Sequence, residues 1–375
     1  MAVLYSEQAC NAAAVFTRNL VVAAPVFVDR HTLAKNKNNI HAVVANSGNA
    51  NACTGTQGLN NAGQMQVVTA KSLDCEADQV LVLSTGVIGV QLPMEKVHAG
   101  VALAASNLST KSGPQAAEAI MTTDTMPKFA AVSVGLPGGT ITIGGMAKGS
   151  GMIHPDMATL LGVHTTDAII DADLLQACLR TAVDQSYNRI SVDGDTSTND
   201  TILLLANGAS GVKVADAQSM SLFQEALNHL AMYLAQQVVR DGEGASKFVE
   251  IKVVGAVDDL AAHKIANTIA TSALVKTAFA GSDANWGRIL AAAGRAGVPF
   301  EQEKTVLWVG KTQPEELQLL AGGTPTGYVE ADAAAVFAEP EFKVLFELQQ
   351  GDGQSTVWTS DLTHEYVSIN ADYRT

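Results

Sequence analysis

Continuous apolar runs along the chain predict buried β-strands, because a strand that is covered on both faces has no polar side to show. Four such runs stand out, at residues 41–45, 80–84, 140–143 and 201–206. Residues 248–254 instead alternate, with Val249, Ile251 and Val253 on one face, which predicts a half-exposed strand. Residues 304–309 form a further candidate strand.

Helical periodicity is clearest in two segments. Residues 173–187 place their apolar side chains on one stripe, and a second stripe runs onward from Ser221. Ser221 and Gln224 have the spacing of a capping box, and Gly242 is a plausible stop signal. A third helix is predicted over residues 263–271. Because strands and helices mix throughout, the predicted class is α/β or α+β.

The charge balance argues against a nucleic-acid partner. The 375 residues carry a formal net charge of −14 and no basic run, whereas nucleic-acid binding needs clustered Lys and Arg. With 47% hydrophobic and only 16% charged residues, the chain has ample material for a large core. An acidic surface of this kind commonly serves solubility alone.

The remaining composition predicts a cytoplasmic protein that has no membrane span. No apolar stretch reaches the ~18 residues of a membrane helix, and the N-terminus lacks the pattern of a signal or transit peptide. The four cysteines are widely spaced without a Cys-x-x-Cys pair, which favours buried thiols in a reducing compartment.

The most informative segment is residues 148–161, where glycines lead through His154 and Pro155 to Ala158 and Thr159. A threonine hydroxyl can attack the preceding carbonyl if the turn strains that peptide, and water then hydrolyses the ester. The new terminal amine titrates near ~8 and could serve as general base for its own hydroxyl. An Ala-Thr pair is nevertheless almost always inert, so this pattern alone decides nothing.

Residues 148–161 closely resemble the cleavage motif of the ornithine acetyltransferase family, the bifunctional glutamate N-acetyltransferase/amino-acid acetyltransferases. Further segments resemble the family in the same order along the chain, and they lie at residues 14–19, 46–55, 84–86, 121–124, 188–201, 241–247, 279–289 and 366–375. This number of ordered motifs makes a chance match very improbable.

The resemblance implies a fold and a reaction. The expected fold is a layered α/β/β/α-like body with a smaller α/β region, cut by the protein itself between Ala158 and Thr159. Residues 1–158 would form an alpha chain and residues 159–375 a beta chain, interlocked and assembled as a heterotetramer of two of each. The expected reaction moves an acetyl group from N-acetylornithine to glutamate without a cofactor, and acetyl-coenzyme A is a further candidate donor.

The resemblance also implies residue roles. Thr159 would be the nucleophile and acetyl carrier, while Thr85 and Gly86 would stabilise the oxyanion. A strand that ends in a Thr-Gly turn suits this task, although such turns are usually only structural. The residues implied to bind substrate are Thr122 (preferred to its neighbour Thr123), Lys148, Thr159, Glu243, Asn370 and Thr375. Lys148 could pair with a substrate carboxylate and Glu243 with an amine.

Three other patterns are interpreted as structural. His154 lies near the cut, but an N-terminal threonine carries its own base and needs no histidine. Residues 193–200 resemble a calcium loop without its glycine and final glutamate, and residues 310–312 resemble a phosphate loop without its first glycine. We therefore expect neither metal nor nucleotide at these places.

Two alternatives to the transferase remain open from the sequence: an N-terminal-nucleophile amidase or aminopeptidase, and an uncleaved inactive remnant. The chain also departs from the family pattern. Its match begins almost at Met1, which leaves open whether part of one sheet is absent. Asp156 and Leu160 stand where Asn and Met are usual, changes that could alter the cleavage rate.

Overall fold

The computed structural model describes residues 1–154 and 160–372. They form two compact units, the first from residues 1–188 and 195–238 and the second from residues 189–194 and 239 onward. Each unit is built around one seven-stranded sheet with helices, which confirms the predicted mixed α/β class.

The strands in chain order are β1 Ala2–Phe16, β2 Ile40–Asn46, β3 Val80–Ser84, β4 Lys128–Leu136, β5 Gly139–Lys148, β6 Leu161–Thr166, β7 Ile190–Ser191, β8 Thr201–Ala206, β9 Phe248–Ala256, β10 Val306–Gly310, β11 Leu317–Ala321, β12 Thr324–Pro325, β13 Glu341–Glu347 and β14 Gly353–Ser360. The α-helices in chain order are α1 Ala24–Asn36, α2 Gly55–Leu73, α3 Met94–Ser106, α4 Gly113–Ala119, α5 Ala172–Gln185, α6 Ala217–Arg240, α7 Asp259–Ala270, α8 Ala273–Ala280, α9 Trp286–Gly294, α10 Glu330–Phe337 and α11 His364–Asp372.

The sheet of the first unit has the strand order β3-β2-β1-β8-β6-β5-β4. β3 and β8 are buried at every position, as continuous apolar runs require, and both have the bounds predicted for them. β1 lies inside the sheet, where it pairs antiparallel with β2 along its first half and with β8 along its second half. The first residues of the chain therefore pair with β2 within this sheet.

The prediction for β5 was too short, because it ended at residue 143, before the glycines at 144 and 145. Both lie in the strand, which continues to Lys148. A Cβ atom at Gly145 would lie 2.5 Å from Nδ1 of His164 on β6, so glycine makes room for this buried ring. Nε2 of His164 hydrogen-bonds the Tyr187 hydroxyl at 3.1 Å, and burial lowers the pKa of His164 to about 4.

The sheet of the second unit has the order β12-β11-β10-β13-β9-β14-β7. β9 alternates buried and partly exposed positions as predicted, and pairs parallel with β13 and antiparallel with β14. The strand predicted from residue 304 begins at Val306 instead, because residues 302–304 form a short 3-10 turn. Aromatic side chains of α8, α10 and β13 pack together in its core, through Phe279, Phe337 and Phe342.

Helix starts were predicted less well than helix faces. α5 matches its prediction within two residues, and Asp171 caps it through the amides of Asp173 and Leu174. α6 begins at Ala217, so the predicted cap at Ser221 is wrong. The capping exchange lies five residues earlier, where Asp216 accepts from the Ser219 amide and the Ser219 hydroxyl accepts from the Asp216 amide. α7 also begins earlier than predicted, at Asp259.

Candidate active site

The predicted oxyanion turn follows directly after β3 and is held by its neighbours. The Thr85 amide donates to the Asn46 carbonyl at 3.1 Å. Gly86 has φ +130°, and a Cβ there would lie 2.2 Å from the Gly48 carbonyl carbon, so only glycine fits. Nδ2 of Asn199 donates to the carbonyls of Ser84 at 2.8 Å and Ala50 at 2.6 Å. These contacts fix the turn without using the Thr85 hydroxyl.

Lys148 brings two of the other predicted residues together at the end of β5. Its ammonium donates to the Thr122 hydroxyl at 2.8 Å and to the Thr85 hydroxyl at 3.4 Å. The hydroxyl of Thr123 instead shares a hydrogen bond with Ser150, which supports the choice of Thr122. Lys148 is only 6% exposed, so its charge is largely shielded from water. In such a low-dielectric environment its attraction for an anion would be strong.

Asp124 supports this cluster and was given no role from the sequence. Its carboxylate accepts from the Lys128 ammonium and from the Gly149 amide, both at 2.7 Å, and lies 3.8 Å from Lys148. Burial alone raises the pKa of Asp124, but the charges of Lys148 and Lys128 with these hydrogen bonds outweigh burial and lower it. The carboxylate is therefore ionised and neutralises part of the lysine charge.

Asp200, the residue before β8, is a second buried carboxyl near Lys148. It is 1% exposed, and apart from the Leu160 amide neither of its oxygens has a hydrogen-bond partner in the part of the chain that the structure describes. Burial raises its pKa well above the usual range, although the nearby Leu160 amide and the Lys148 charge partly oppose this. No pattern in the sequence distinguishes Asp200 or Asn199 from the exposed polar residues of an ordinary loop.

In the second unit, Glu243 and Asn370, both predicted to bind substrate, contact each other. Nδ2 of Asn370 on α11 donates to Oε2 of Glu243 at 2.7 Å. Asp361 holds the turn after Glu243 by accepting from the amides of Ser246 at 2.8 Å and Lys247 at 3.0 Å. The partly exposed α11 therefore brings the last part of the chain to Glu243.

Three predicted site residues lie outside the described residues: Ala158, Thr159 and Thr375. The same holds for Asp156, so its predicted influence on cleavage stays a prediction. His154 is partly buried and precedes this segment, and its structural role also stays a prediction.

The residues of the phosphate-loop-like and calcium-loop-like segments make hydrogen bonds within the protein. At the phosphate-loop-like residues, the Glu316 carboxylate accepts from the amides of Lys311, Thr312 and Gln313, so these donors are already used. In the calcium-loop-like segment, Thr198 and Asn199 hydrogen-bond each other. Among the described residues, no three His, Cys, Asp or Glu side chains are grouped to hold a metal, and no helix there is long and apolar enough to cross a membrane.

Comparison with known proteins identifies the family. The ArgJ family profile matches residues 1–375. The arginine biosynthesis bifunctional protein ArgJ of Symbiobacterium thermophilum is 48% identical, over 100% of this chain and 92% of the relative. Its namesake in Thermotoga neapolitana is 46% identical, over 100% and 94%.

A solved structure is also similar. The crystal structure of the arginine biosynthesis bifunctional protein ArgJ from Bacillus halodurans matches with a TM-score of 0.52 at 38% identity, over 56% of this chain and 97% of that one. The predicted family resemblance and enzyme class are therefore confirmed. The chain belongs to the ArgJ family.

Proposed function

We propose that this chain is the bifunctional acyltransferase of arginine biosynthesis that moves an acetyl group from N-acetylornithine to glutamate through an ester on Thr159. The observation that carries the proposal is the grouping of Thr85, Thr122 and Lys148, a rigid oxyanion turn beside a buried cation. The bifunctional names of its relatives support a second reaction, in which acetyl-coenzyme A supplies the acetyl group.

The mechanism begins with self-cleavage. The Thr159 hydroxyl attacks the Ala158 carbonyl, the C–N bond breaks, and water hydrolyses the ester. The freed amine then takes the proton from its own hydroxyl as this oxygen attacks the acetyl carbonyl of N-acetylornithine. Ornithine leaves with a proton on its nitrogen, and the amine of glutamate attacks the acetyl ester. This order predicts ping-pong kinetics.

The described residues have the chemistry for both half-reactions. The turn at Thr85 and Gly86 offers an amide and a hydroxyl to an oxyanion, and losing one such donor typically costs about 3 kcal/mol. From the family resemblance we propose that Lys148 and Thr122 in the first unit bind a carboxylate group. We likewise propose that Glu243 with Asn370 in the second unit binds an amino group.

The strand pairing supports interlocked fragments after the cut. β5 lies before the cleavage site and β6 after it, and the two pair antiparallel from Lys148 with Leu161 to Ile143 with Thr166. β1 and β8 are joined in the same way across the proposed fragments. Fragments that share one sheet would separate only on unfolding, and we propose that two such pairs form a heterotetramer.

The length of the Bacillus halodurans chain also fits cleavage. Because 56% of these 375 residues correspond to 97% of that chain, it is about 216 residues long. The proposed fragment from Thr159 to Thr375 has 217 residues.

The test is the intact mass of the purified protein. We expect two chains of roughly 16 and 23 kDa, shares of the 39.0 kDa total by residue number, with the larger one beginning at Thr159. Thr159→Ala should give one inactive chain, whereas Thr159→Ser keeps a hydroxyl nucleophile and should still cut. Full activity in an uncut chain would refute the proposal.

A second assay separates transfer from hydrolysis. With N-acetylornithine as donor, release of ornithine should depend strongly on added glutamate if an amino acid is the acceptor. Release at the same rate without glutamate would instead identify an amidase, in which water takes the acetyl group.

A further inference from the structure

The hydroxyl of Thr363 makes two hydrogen bonds that join two separate pieces of backbone. It accepts from the Glu365 amide at 3.2 Å, in the first turn of α11, and it donates to the Gly244 carbonyl at 2.6 Å. Gly244 directly follows Glu243, the proposed partner of a substrate amine. One oxygen atom therefore connects the start of α11 to the peptide next to Glu243.

The helix and the turn also touch each other beside this bond. A Cβ atom at Gly244 would lie 2.4 Å from the Tyr366 amide nitrogen, so no side chain fits between the two backbones. The residue before Thr363 is held as well, because the Leu362 amide donates to the Lys276 carbonyl at 3.2 Å. The chain is thus fixed immediately before α11 begins.

α11 itself is not anchored by burial. None of its nine residues is buried, and its polar contacts include the Tyr366 hydroxyl at 3.3 Å from Asp193 and the Asn370 amide group at 2.7 Å from Glu243. Asn370 lies about 10 Å along the helix from Thr363, so a tilt of about 10° at the start would move it by about 2 Å. A displacement of this size breaks a hydrogen bond. The orientation of the chain at Thr363 therefore decides whether Asn370 reaches Glu243.

We propose that Thr363 is a positioning residue, whose hydroxyl orients α11 so that Asn370 meets the Glu243 carboxylate and the two together bind the substrate amine. This inference rests on the proposed function, in which Glu243 and Asn370 bind an amino group. Thr363 acts through Asn370 and needs no contact with the substrate, since its hydroxyl is already used by the Glu365 amide and the Gly244 carbonyl. It therefore affects binding and not the chemical step.

The decisive variant is Thr363→Val, which keeps the branched shape of the side chain but can neither donate nor accept a hydrogen bond. The assay uses the purified enzyme with N-acetylornithine and glutamate. We expect KM for N-acetylornithine, the substrate with a free side-chain amine, to rise about fivefold, with kcat within about twofold of the unmodified value. Thr363→Ser keeps the hydroxyl and should hold KM within about twofold of the unmodified enzyme. An unchanged KM in Thr363→Val refutes the inference.

Thr271 provides a matched control. It is also partly buried and lies at a helix end in the same unit, and its hydroxyl donates to the Asn267 carbonyl at 2.8 Å. Thr271→Val removes one hydroxyl away from the Glu243 turn, so KM should stay within about twofold of the unmodified value. An equal rise of KM in the two Val variants would mean that any such loss disturbs the site, and the assignment would be wrong. Should Thr363→Val fail to fold, Thr363→Ala and Thr271→Ala make the same comparison.

A double-mutant cycle with Asn370→Ala separates positioning from general support of the fold. If Thr363 acts by placing Asn370, Thr363→Val should raise KM by less than about 1.5-fold once Asn370 is already replaced by alanine. Independent effects would instead multiply, so that the double variant would show the product of the two single increases. That result would overturn the assignment even though each single variant raised KM.

The outcomes also separate this inference from the function on which it rests. An unmodified enzyme that transfers no acetyl group from N-acetylornithine refutes the proposed function. An active enzyme in which Asn370→Ala leaves KM unchanged refutes the binding role of Asn370 and, with it, the role of Thr363. An active enzyme in which Asn370→Ala raises KM and Thr363→Val does not refutes only the role of Thr363.

Discussion

Two of the buried lysines, Lys148 in the first unit and Lys276 in the second, have contrasting surroundings. Lys148 in the first unit lies 3.8 Å from the ionised Asp124 and donates to two threonine hydroxyls. Lys276 in the second unit donates mainly to neutral oxygens, the hydroxyl of Thr359 and the carbonyl of Ser360. Burial lowers the pKa of Lys276 to about 7, although Asp361 and Asp193 oppose the shift.

The difference shows that burial alone does not make a lysine an anion site. Lys148 is accompanied by a carboxylate that offsets the cost of its charge and by hydroxyls that a ligand could displace. Lys276 donates to Thr359 and Ser360 of β14, and burial lowers its pKa to about 7, which suits a structural role. Charge pairing and hydroxyl partners, and not depth, distinguish Lys148 from Lys276.

The largest expected effect comes from removing the carboxylate that accompanies Lys148. Asp124→Asn leaves the buried ammoniums of Lys128 and Lys148 without their counter-ion, and breaking such a pair typically costs about 3–5 kcal/mol. Because the folded pKa of Asp124 is lowered, its contribution to stability is present above pH ~4 and is lost as pH falls through the folded pKa. Urea unfolding at pH 7 and at about pH 2 measures both effects.

Asp29→Asn is the control for this comparison, because Asp29 is buried in the same unit with a raised pKa. Burial favours the uncharged form of its carboxyl, so the free energy of unfolding at pH 7 should change by less than about 1 kcal/mol. Equal losses in the two variants would mean that the charge of Asp124 contributes little.

Lys148→Met should abolish the proposed pairing with the substrate carboxylate. Losing one partner of a desolvated charge pair costs about 2–5 kcal/mol, so we expect kcat/KM to fall by about 30-fold or more. Lys148→Arg should not restore it, since the planar guanidinium requires a different pocket. Steady-state kinetics with N-acetylornithine and glutamate provide the measurement.

Lys128→Met is the matched variant, because it removes a cation from the same carboxylate without touching Thr122 or Thr85. Its kcat/KM should fall much less than that of Lys148→Met. Similar losses would assign the role of Lys148 to the support of Asp124 and not to the substrate.

The best-predicted elements are strands that are buried at every position, because such strands are apolar along nearly their whole length in the sequence. β3 and β8 are apolar at nearly every position because both of their faces are covered, and their bounds were predicted without error. β1 was not predicted: its 15 residues mix Ala, Asn, Gln and Cys, and its two halves pair with different strands. β5 was cut short because glycine usually marks loops, whereas here it makes room for His164.

The site residues also differ in how far the sequence alone could predict them. Lys148 lies 26 residues from Thr122 and 63 from Thr85 along the chain, so only the family resemblance indicated that they meet. Asp124, Asn199 and Asp200 lay within the motifs used for that resemblance but received no role. An Asp in a polar segment is normally exposed, and its burial depends on how the strands pair, which no local pattern records.

Lys276 should reveal its low pKa through the dependence of stability on pH. Between the folded pKa of about 7 and the unfolded value of ~10.4, the unfolded chain binds more protons, so the free energy of unfolding rises with pH. From pH 7 to pH 9 this one group contributes a rise of about 2 kcal/mol. Lys276→Met should lack this part of the rise, and identical pH dependence in both chains would show that the lysine stays charged.

The smallest effect is expected at Asn370, whose helix α11 has no buried residue. Its amide donates to the Glu243 carboxylate at 2.7 Å, and a hydrogen bond to a charged group is worth about 1.5–3 kcal/mol, less where water competes. Asn370→Ala should therefore raise KM for the amino-acid substrate about tenfold, or ~1.4 kcal/mol, with kcat little changed. Ser368→Ala on the same helix removes only a bond to the His364 carbonyl and should leave KM unchanged. A fall in kcat at constant KM would instead mean that Asn370 acts in the transition state and not in binding the substrate.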